Sequence, residues 1–443
     1  MSSVDQLRHH AREIFAAGLR SVDATSLIKH HVALIDSRLK VGAQFFSLAE
    51  IGRIFVVGCG KAAAPMAGAL LDILGERVSG GAVAVKYGHG LRLKKIRVIE
   101  AGHPIPDRAG VVAAQQIIEI VKCTKPTDLI FFVVSGGGSA LLPMPTNGVS
   151  LEEKQRATEI LLASGATIHE LNAIRKHLSQ IKGGRLAELA YPATIVGLIL
   201  SDVIGDDLDV IASGPTVPDS STYRDCIDII ERFQLSEKLP TSVVRVLDAG
   251  ARGERLETPK PTNPIFRNVH NLIVGNNALA LAAAQQRAMD LGYHTRIVSH
   301  SLHGETRLVA REYAMLGKDI LSGKNSAKRP ACLIAGGETT VTVHGVGKGG
   351  RNQEFSLAAA MEIDGLDQIV ILGAGTDGSD GPTDAAGAIV DGMTVRRGEV
   401  SGWDARESLH QNDSYHFLQA AGDLLKTGPT FTNVMDLHLI LIG

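Results

Sequence analysis

Ten short apolar runs are the feature of this 443-residue sequence that most restricts its fold. They lack the alternation of apolar and polar residues that is typical of strands with one face in water, so they predict strands covered on both faces, as in parallel sheets. Segments of helical period, such as residues 107–123 and 276–292, lie between them. The runs are RIFVVG, AVAVKYG, IRVIEAG, LIFFVVSGG, TIVGLILSD, NLIVGNN, HTRIVSH, CLIAGGE, IVILGAG and LHLILIG. This pattern predicts an α/β fold in which mostly parallel sheets are flanked by helices.

The chain is too long for one ordinary hydrophobic core, so we expect two domains. The alternation of runs and helices breaks in a charged, proline-containing stretch, which we interpret as a linker at residues 241–269. The prediction is a Rossmann- or flavodoxin-like α/β domain at residues 1–240 and a second α/β domain at residues 270–443. The amphipathic first 23 residues contain acidic side chains that are atypical of a transit peptide, and we expect them to form the first helix of the fold.

The composition excludes several classes of partner. Lys plus Arg (45) nearly balances Asp plus Glu (47), so there is no broad basic field for a nucleic acid or an anionic membrane. The low aromatic content of 4% argues against surfaces on which nucleic-acid bases stack. No run of 18 apolar residues occurs, so the sequence predicts no membrane-spanning helix. The four cysteines form no CxxC motif, which predicts free thiols in a reducing compartment and hence a cytoplasmic location. The expected partners are small molecules, and a homodimer remains open.

Glycine-rich loops follow many of the apolar runs. In open parallel sheets, ligands bind beyond the carboxyl ends of the strands, so these loops predict one active-site cleft, which we expect between the two domains. The loop GCGKAAAP places Gly58 and Gly60 at a strand-to-helix turn, with Lys61 at the predicted first helical position. The turn is compatible with a dinucleotide-binding fingerprint or with a phosphate-binding loop that contains a catalytic lysine. The next strand offers Lys86 and no acid for a ribose, which disfavours the dinucleotide interpretation without excluding an NADP enzyme.

A second loop of this kind follows the run LIFFVV. Its residues are Ser135, Gly136, Gly137, Gly138 and Ser139. Three glycines allow positive φ and leave successive backbone N–H groups exposed beside a helix start, an arrangement that binds anions. The Walker A motif is absent from the chain. We therefore predict that this loop binds phosphate.

Acidic and cationic residues at other strand ends favour phosphoryl transfer. Asp202 and Glu338 follow apolar runs, where carboxylate oxygens suit Mg²⁺, and Asp377 lies in a third such loop, at a predicted nucleotide contact. Arg351 is delivered by a glycine-rich loop that enters a helix. Acids and cations clustered in this way suit a metal-bound triphosphate, so ATP and Mg²⁺ are the predicted cofactors. For each acid, a helix cap or a turn is the alternative role.

The segment LNAIRKHLSQIKGGRLAEL is interpreted as one amphipathic helix. Its polar face would carry Arg175 and Lys182 next to the predicted cleft. Arginine binds carboxylates through two parallel hydrogen bonds, so we predict that these residues bind the substrate. A solvated charged face is the alternative.

Taken together, the motifs resemble the glycerate 2-kinase family, whose C-terminal part is the MOFRL domain and whose members are often labelled hydroxypyruvate reductases. The resemblance extends over residues 5–442 and implies ATP-dependent phosphorylation of D-glycerate to 2-phosphoglycerate by a two-domain α/β enzyme with a divalent metal. The family's catalytic lysine and arginine match Lys61 and Arg351. Phe431 departs from the family pattern, which usually has a smaller residue there. The matching motifs are VGCGKAAAPMAGAL, GHPIPD, VVSGGGSALL, LNAIRKHLSQIKGGRLA, LILSDVIGDDLDVIASGPT, GKGGRNQEFSLA, GTDGSDGPTDAAGAIVD and TGPTFTNVMDLHLILI.

The residues and the resemblance combine into one hypothesis. Lys61 and the loop Gly136–Gly138 hold phosphate from one domain, and Arg351 approaches from the other to stabilise charge on the transferred group. An NAD(P)H-dependent hydroxypyruvate reductase remains an alternative, as does a non-catalytic sensor of sugar acids or nucleotides. The sequence assigns no general base, nucleotide preference or oligomeric state.

Overall fold

The computed structural model describes residues 3–443, which form two compact units. We call residues 3–23 together with residues 275–443 the second unit. It includes the first helix of the chain, α1 (Ser3–Ser21). The first unit spans residues 24–274. The predicted N-terminal helix is therefore present, and its buried Leu7, Ile14 and Phe15 belong to the core of the second unit.

The first unit contains a parallel sheet and a small antiparallel sheet. In the larger sheet the strand order is β6-β5-β4-β7-β8-β9, and neighbouring strands from β6 to β8 are parallel. The small sheet, β1-β2-β3, was not predicted. The elements are α2 (Ala24–His31), β1 (Val32–Ile35), β2 (Arg38–Val41), β3 (Gln44–Ser47), β4 (Ile54–Cys59), α3 (Ala63–Leu74), β5 (Val78–Lys86), β6 (Ile96–Ala101), α4 (Arg108–Lys122), β7 (Leu129–Val134), α5 (Gly138–Leu141), α6 (Leu151–Ala163), α7 (Ile168–His177), α8 (Arg185–Ala190), β8 (Thr194–Leu200), α9 (Tyr223–Arg232), α10 (Thr241–Ala251) and β9 (Val269–Gly275).

The register of the parallel sheet brings three loops to one edge. Cys59, the last residue of β4, pairs with Val134, the last residue of β7. Val134 in turn pairs with Ile199, near the end of β8. The loops that follow β4, β7 and β8 therefore leave the sheet side by side, as ligand-binding loops of open parallel sheets do.

The second unit contains one mixed six-stranded sheet of order β10-β11-β15-β12-β13-β14. Only β10 and β11 pair in parallel, and the other four pairings are antiparallel. The elements are α11 (Asn277–Asp290), β10 (His294–Leu302), α12 (Thr306–Leu321), β11 (Ala331–Gly337), α13 (Arg351–Glu362), β12 (Ile369–Gly375), β13 (Gly387–Asp391), α14 (Thr394–Val400), α15 (Ala405–His410), α16 (Ser414–Ala421), β14 (Leu424–Leu425) and β15 (Asp436–Ile442).

The α/β class with two helix-flanked sheets is confirmed, but the prediction of a mostly parallel sheet is wrong for the second unit. The C-terminal strand β15 lies between β11 and β12 and runs antiparallel to both. Every residue of β15 is buried, so its sequence is as uniformly apolar as that of a parallel strand. A run of apolar residues reports burial on both faces and carries no information on strand direction.

The two units also differ from the predicted domain boundaries. Residues 241–269, predicted as a linker, belong to the first unit, where α10 packs on α9 through Val243, Val246 and Leu247. The charged residues that suggested a linker lie around one end of this helix and in the segment before β9. Between the units the chain crosses at residues 23–24 and 274–275.

All four cysteines are free thiols, and Cys123 is the exposed one. No helix within residues 3–443 is long and apolar enough to cross a bilayer.

Candidate active site

Two predicted phosphate-binding loops of the first unit are joined by backbone hydrogen bonds. The N–H of Lys61 donates to the carbonyl of Gly136 at 2.9 Å, and the N–H of Ser135 donates to the carbonyl of Cys59 at 3.0 Å. The Ser135 hydroxyl accepts from the N–H of Ala62 at 2.8 Å. Lys61 lies two residues before α3 and not at its first position, so it belongs to the loop itself. The structure thus places Lys61 directly beside the glycine run.

Two of the glycines are required by conformation and by space. Gly60 has φ +128°, and a Cβ there would lie 2.2 Å from the Ser135 hydroxyl oxygen. Gly137 has φ +85°, and a Cβ there would lie 2.8 Å from the His103 ring. Gly58 differs, because it lies within β4, where a Cβ would lie 2.0 Å from the Val133 carbonyl oxygen. Strand packing alone accounts for Gly58, whereas Gly60 and Gly137 shape the loops.

Ser139 connects the glycine run to the predicted substrate-binding residues. Its hydroxyl lies 2.8 Å from that of Ser213, and the Lys182 Nζ lies 3.5 Å from it. Lys182 also donates to the carbonyl of Ala212 at 3.2 Å. Lys182, Arg175 and Ser139 line the same cavity, so the structure brings both predicted substrate-binding residues next to the predicted phosphate-binding loop.

Arg175 and Lys182 line one cavity, but not because they share one face of a helix, as predicted. Helix α7 ends at His177, and residues 178–184 form turns, so Arg175 and Lys182 do not share a helix face. Gly183 and Gly184 both have positive φ, which lets the chain reverse direction before α8. The single-helix prediction is therefore wrong, because the apolar residues beyond His177 are buried by the fold and not by a continuing helix.

Burial perturbs the titration of both cations. It disfavours the charged form of Lys182 and, together with Arg175, lowers the pKa of Lys182 to about 7. Burial also lowers the pKa of Arg175. A third cavity residue, Lys154, is 7% exposed, and burial lowers the pKa of its ammonium as well. Sequence reasoning missed Lys154, because it lies on α6, away from every glycine-rich loop.

The segment after β8 is held by a buried lysine that was also missed. Lys176 forms ion pairs with Asp209 and, at 3.4 Å, with Asp219. Asp202 lies half-buried at the start of this segment, at the same sheet edge as Lys61. The predicted metal ligand Asp202 therefore belongs to the first unit, which also contains the two predicted phosphate-binding loops.

In the second unit, Arg351 begins α13 and is held by two carboxylates. Its Nε and Nη2 donate to the two carboxylate oxygens of Asp436 at 2.6 and 2.8 Å. Its Nη1 lies 2.9 Å from Glu338 Oε1. Burial disfavours the charged guanidinium, but the interaction with Asp436 outweighs burial and raises the pKa of Arg351. Arg351 is thus permanently charged and fixed in orientation.

The acids near Arg351 have identifiable local roles. Asp380 is buried and accepts the backbone N–H groups of Asn352 and Gln353 at 3.2 and 2.8 Å, which caps α13. Burial raises the pKa of Asp380 to about 6. Asp377, predicted to contact nucleotide, accepts the N–H of Ser379 at 3.0 Å in a turn after β12. The turn accounts for this hydrogen bond of Asp377, and a nucleotide contact stays a prediction.

The two predicted metal ligands belong to different units of the chain. Within the described chain, residues 3–443, no group of three or more His, Cys, Asp or Glu side chains is arranged to hold a metal ion. Asp202 lies in the first unit, and Glu338 lies in the second, where it pairs with Arg351. Mg²⁺ retains several waters and is commonly bound through one or two carboxylates plus substrate phosphates, so a cage of protein ligands is not needed.

Comparisons with known proteins place the chain in a family. Residues 10–248 match the model of a domain of unknown function, DUF4147, and residues 331–436 match the MOFRL family. The glycerate 2-kinase of Pyrococcus horikoshii is 40% identical over 98% of this chain and 97% of its own. The chain belongs to the glycerate 2-kinase family with a C-terminal MOFRL domain. It is therefore an enzyme of the kinase class.

Members of the glycerate 2-kinase family include a solved structure and a differently named relative. The crystal structure of a glycerate kinase from Thermotoga maritima superimposes with a TM-score of 0.84 at 41% identity, covering 99% of this chain and all of that one. A protein of Agrobacterium vitis called a putative hydroxypyruvate reductase is 43% identical over 89% of this chain and all of its own. The family assignment predicted from the motifs is confirmed, and both names occur within the family.

Proposed function

We propose that this protein transfers the γ-phosphoryl group of ATP to the 2-hydroxyl of D-glycerate and produces 2-phosphoglycerate. The observation that carries the proposal is the hydrogen bond from the Lys61 N–H to the Gly136 carbonyl, which joins the lysine-bearing loop to the glycine run at one edge of the sheet. The names of the glycerate kinase relatives support the acceptor and, for the Pyrococcus protein, the 2-position.

The chemistry assigned to these residues is positioning and charge neutralisation. Phosphoryl transfer passes through a loose transition state with charge spread over the phosphoryl oxygens, and it needs little covalent chemistry from the protein. In the proposal, Lys61 and the N–H groups of the Gly136–Gly138 run hold phosphate oxygens. Arg351 stabilises the charge on the migrating group, and Asp436 and Glu338 hold its guanidinium in one orientation.

Arg175 and Lys182 are assigned to the acceptor acid, because they line a cavity that adjoins Ser139 of the phosphate loop. Mg²⁺ bound to the nucleotide would supply further neutralisation of phosphate charge. Asp202 is the carboxylate of the first unit proposed to reach this ion. Glu338 fits less well as a ligand, because its carboxylate already neutralises Arg351.

Substitution of the two catalytic candidates tests the proposal. Lys61→Ala and Arg351→Ala should each lower turnover by about 10³-fold in a coupled assay of ADP release with D-glycerate and Mg²⁺. If both side chains act on one phosphoryl group, the double variant should lose far less than the product of the two single losses. Lys122→Ala and Arg396→Ala remove exposed cations from the same two units and serve as controls. Normal turnover in both catalytic variants would refute the assignment.

The reductase is the second candidate function, favoured by the Agrobacterium relative's name and by the small residues at Gly58, Gly60 and Ala63. It predicts oxidation of NADPH with hydroxypyruvate and without added metal. The strand that follows this turn, β5, ends at Lys86 and offers no acid for a ribose. One preparation assayed for both reactions separates the two candidates, and NMR of the product distinguishes 2- from 3-phosphoglycerate.

A further inference from the structure

Three cationic side chains from different parts of the first unit line one cavity of about 240 Å³. They are Lys154 on α6, Arg175 on α7 and Lys182 in the turn after α7. We call this space the cation cavity. Its other walls include Pro104, Ile105 and Pro106 and the phosphate-loop residue Ser139. The cavity has room for a small organic acid, and it adjoins the proposed site of phosphoryl transfer.

None of the three cations is neutralised by protein. Within residues 3–443, no carboxylate lies within ion-pairing distance of Lys154, Arg175 or Lys182. The acidic residue of the lining, Glu159, is exposed and pairs with Arg156 at 3.2 Å. Burial without a carboxylate partner disfavours the charged form and lowers the pKa of all three groups. An anionic ligand in the cavity would favour their charged forms, so three such side chains around one cavity indicate an anionic ligand.

The neighbour of Arg175 in the sequence shows what a structural cation in this unit looks like. Lys176 is 2% exposed, and its ammonium pairs with Asp209 and Asp219. The fold therefore supplies carboxylates to a lysine that holds elements together. It supplies none to the cations of the cavity, which sets them apart from structural charges.

In its ammonium form, Lys154 has one N–H donor that the protein, over residues 3–443, does not use. Its Nζ donates to the carbonyls of Pro143 and Leu178 at 2.8 and 2.9 Å. An ammonium group has three N–H donors, so one remains for an acceptor in the cavity. Lys182, in contact with Ser139, connects the same cavity to the phosphate loop.

We propose that the cation cavity binds the carboxylate of the acceptor and that Lys154, with Arg175, restricts the acceptor to acids. This inference rests on the proposed kinase function and adds Lys154 as a specificity-determining residue. Ser139, which follows the Gly136–Gly138 run, lines the same cavity, so an acid bound there would lie next to the proposed phosphate-binding loop. Neutral polyols of the same size gain nothing from the three charges, which makes the charge of the acceptor the property that is selected.

Acceptor specificity of a Lys154→Met variant tests the proposal. Loss of a hydrogen bond to a charged group should raise KM for D-glycerate by about 10- to 100-fold with a smaller change in kcat. Phosphorylation of glycerol, which has the same carbon skeleton without the carboxylate, should change little, so the preference for acid over polyol should fall by a similar factor. Lys122→Gln, on the exposed side of α4, is the control for removal of one positive charge.

A purely structural role for Lys154 would not change this preference. Because Lys154→Met also removes two hydrogen bonds to carbonyls, its folding is checked by circular dichroism, and Arg175→Met repeats the test on another helix. An unchanged acid-to-polyol preference in a folded variant overturns the proposal. Loss of the preference in both variants supports it.

Binding measured without nucleotide separates this proposal from the kinase function. Calorimetric titration of the wild-type protein with D-glycerate should show binding that Lys154→Met weakens at least tenfold, whether or not phosphoryl transfer is detected. Equal binding by the two proteins overturns the cavity proposal even if the kinase is active. Inorganic phosphate that displaces D-glycerate, and whose own binding Lys154→Met weakens at least tenfold, also overturns the proposal, since the cavity would then be a phosphate site.

Discussion

The ion pair between Arg351 and Asp436 is the interaction whose removal should most clearly show how the second unit orients the proposed catalytic arginine. Asp436 is fully buried, and its two carboxylate oxygens accept from Nε and Nη2 of Arg351. Asp436→Asn keeps the shape of the side chain but replaces one acceptor oxygen by a donor group that faces a guanidinium. Glu338, with its side chain 46% exposed, then remains as the paired carboxylate of Arg351.

The size of the effect follows from the geometry. A hydrogen bond between charged groups contributes about 1.5–3 kcal/mol, and breaking a buried ion pair costs about 3–5 kcal/mol. Because asparagine retains one acceptor, we expect a loss near the lower end, about 3 kcal/mol in the free energy of unfolding. For a unit of this size, such a loss lowers the melting temperature by about 6–12 °C. Turnover should also fall by about 10²-fold, because the guanidinium is no longer held in position.

The single tryptophan of the chain makes the measurement specific. Trp403 lies in the second unit and stacks on His416, so its fluorescence reports unfolding of the unit that contains the ion pair. A double-mutant cycle with Arg351→Gln should give a coupling free energy of about 2–3 kcal/mol. A coupling below about 0.5 kcal/mol would show that the two side chains act independently and would refute the reasoning.

Three further predictions concern the loops, the cation cavity and α1. Gly60→Ala should lower the free energy of unfolding, measured by urea denaturation, by at least about 2 kcal/mol more than Gly88→Ala does. Both glycines have positive φ, but at Gly60 a Cβ would collide with Ser135, whereas at Gly88 there is open space. Equal losses in the two variants would contradict this prediction. Burial and the neighbouring Arg175 lower the pKa of Lys182 to about 7, so its ammonium should lose its proton as pH rises from 7 to 9, and kcat/KM for D-glycerate should fall with it. Lys182→Arg keeps the positive charge over this range and should flatten the pH profile. An identical decline in the variant would show that Lys182 does not cause the fall. Arg8→Met removes one of two arginines that contact the buried Asp391 and Asp423, and Arg397 remains in contact with both. The free energy of unfolding, followed by Trp fluorescence, should therefore fall by about 2 kcal/mol. A loss near zero would mean that α1 contributes no electrostatic stability.

Much of the first unit's site could be predicted from local sequence. The runs that form β4, β7 and β8 were recognised from their apolar residues, and the glycines after β4 and β7 marked loops of unusual backbone conformation. Parallel strands place their carboxyl ends together, so the proximity of Lys61 to Gly136 followed from the pattern. The roles of these residues in catalysis remain predictions.

Other parts of the site could not be predicted, because they depend on contacts between distant segments. Lys154 joins Arg175 in one cavity only after α6 and α7 have packed, and nothing near it in the sequence distinguishes it from a solvated lysine. Asp436 looks like the first residue of a strand, yet it fixes the orientation of Arg351, 85 residues earlier. Pairings of this kind carry no periodic signal.

The amino-acid sequence alone determined the α/β class, the position of most buried strands and the loops where glycine is required, because burial and backbone conformation leave local patterns. The tertiary structure decided the direction of β15, the assignment of α1 to the second unit and the convergence of three unpaired cations on one cavity. Each of these depends on which distant surfaces pack together, and the free energy of that choice comes from many weak contacts that no single segment contains.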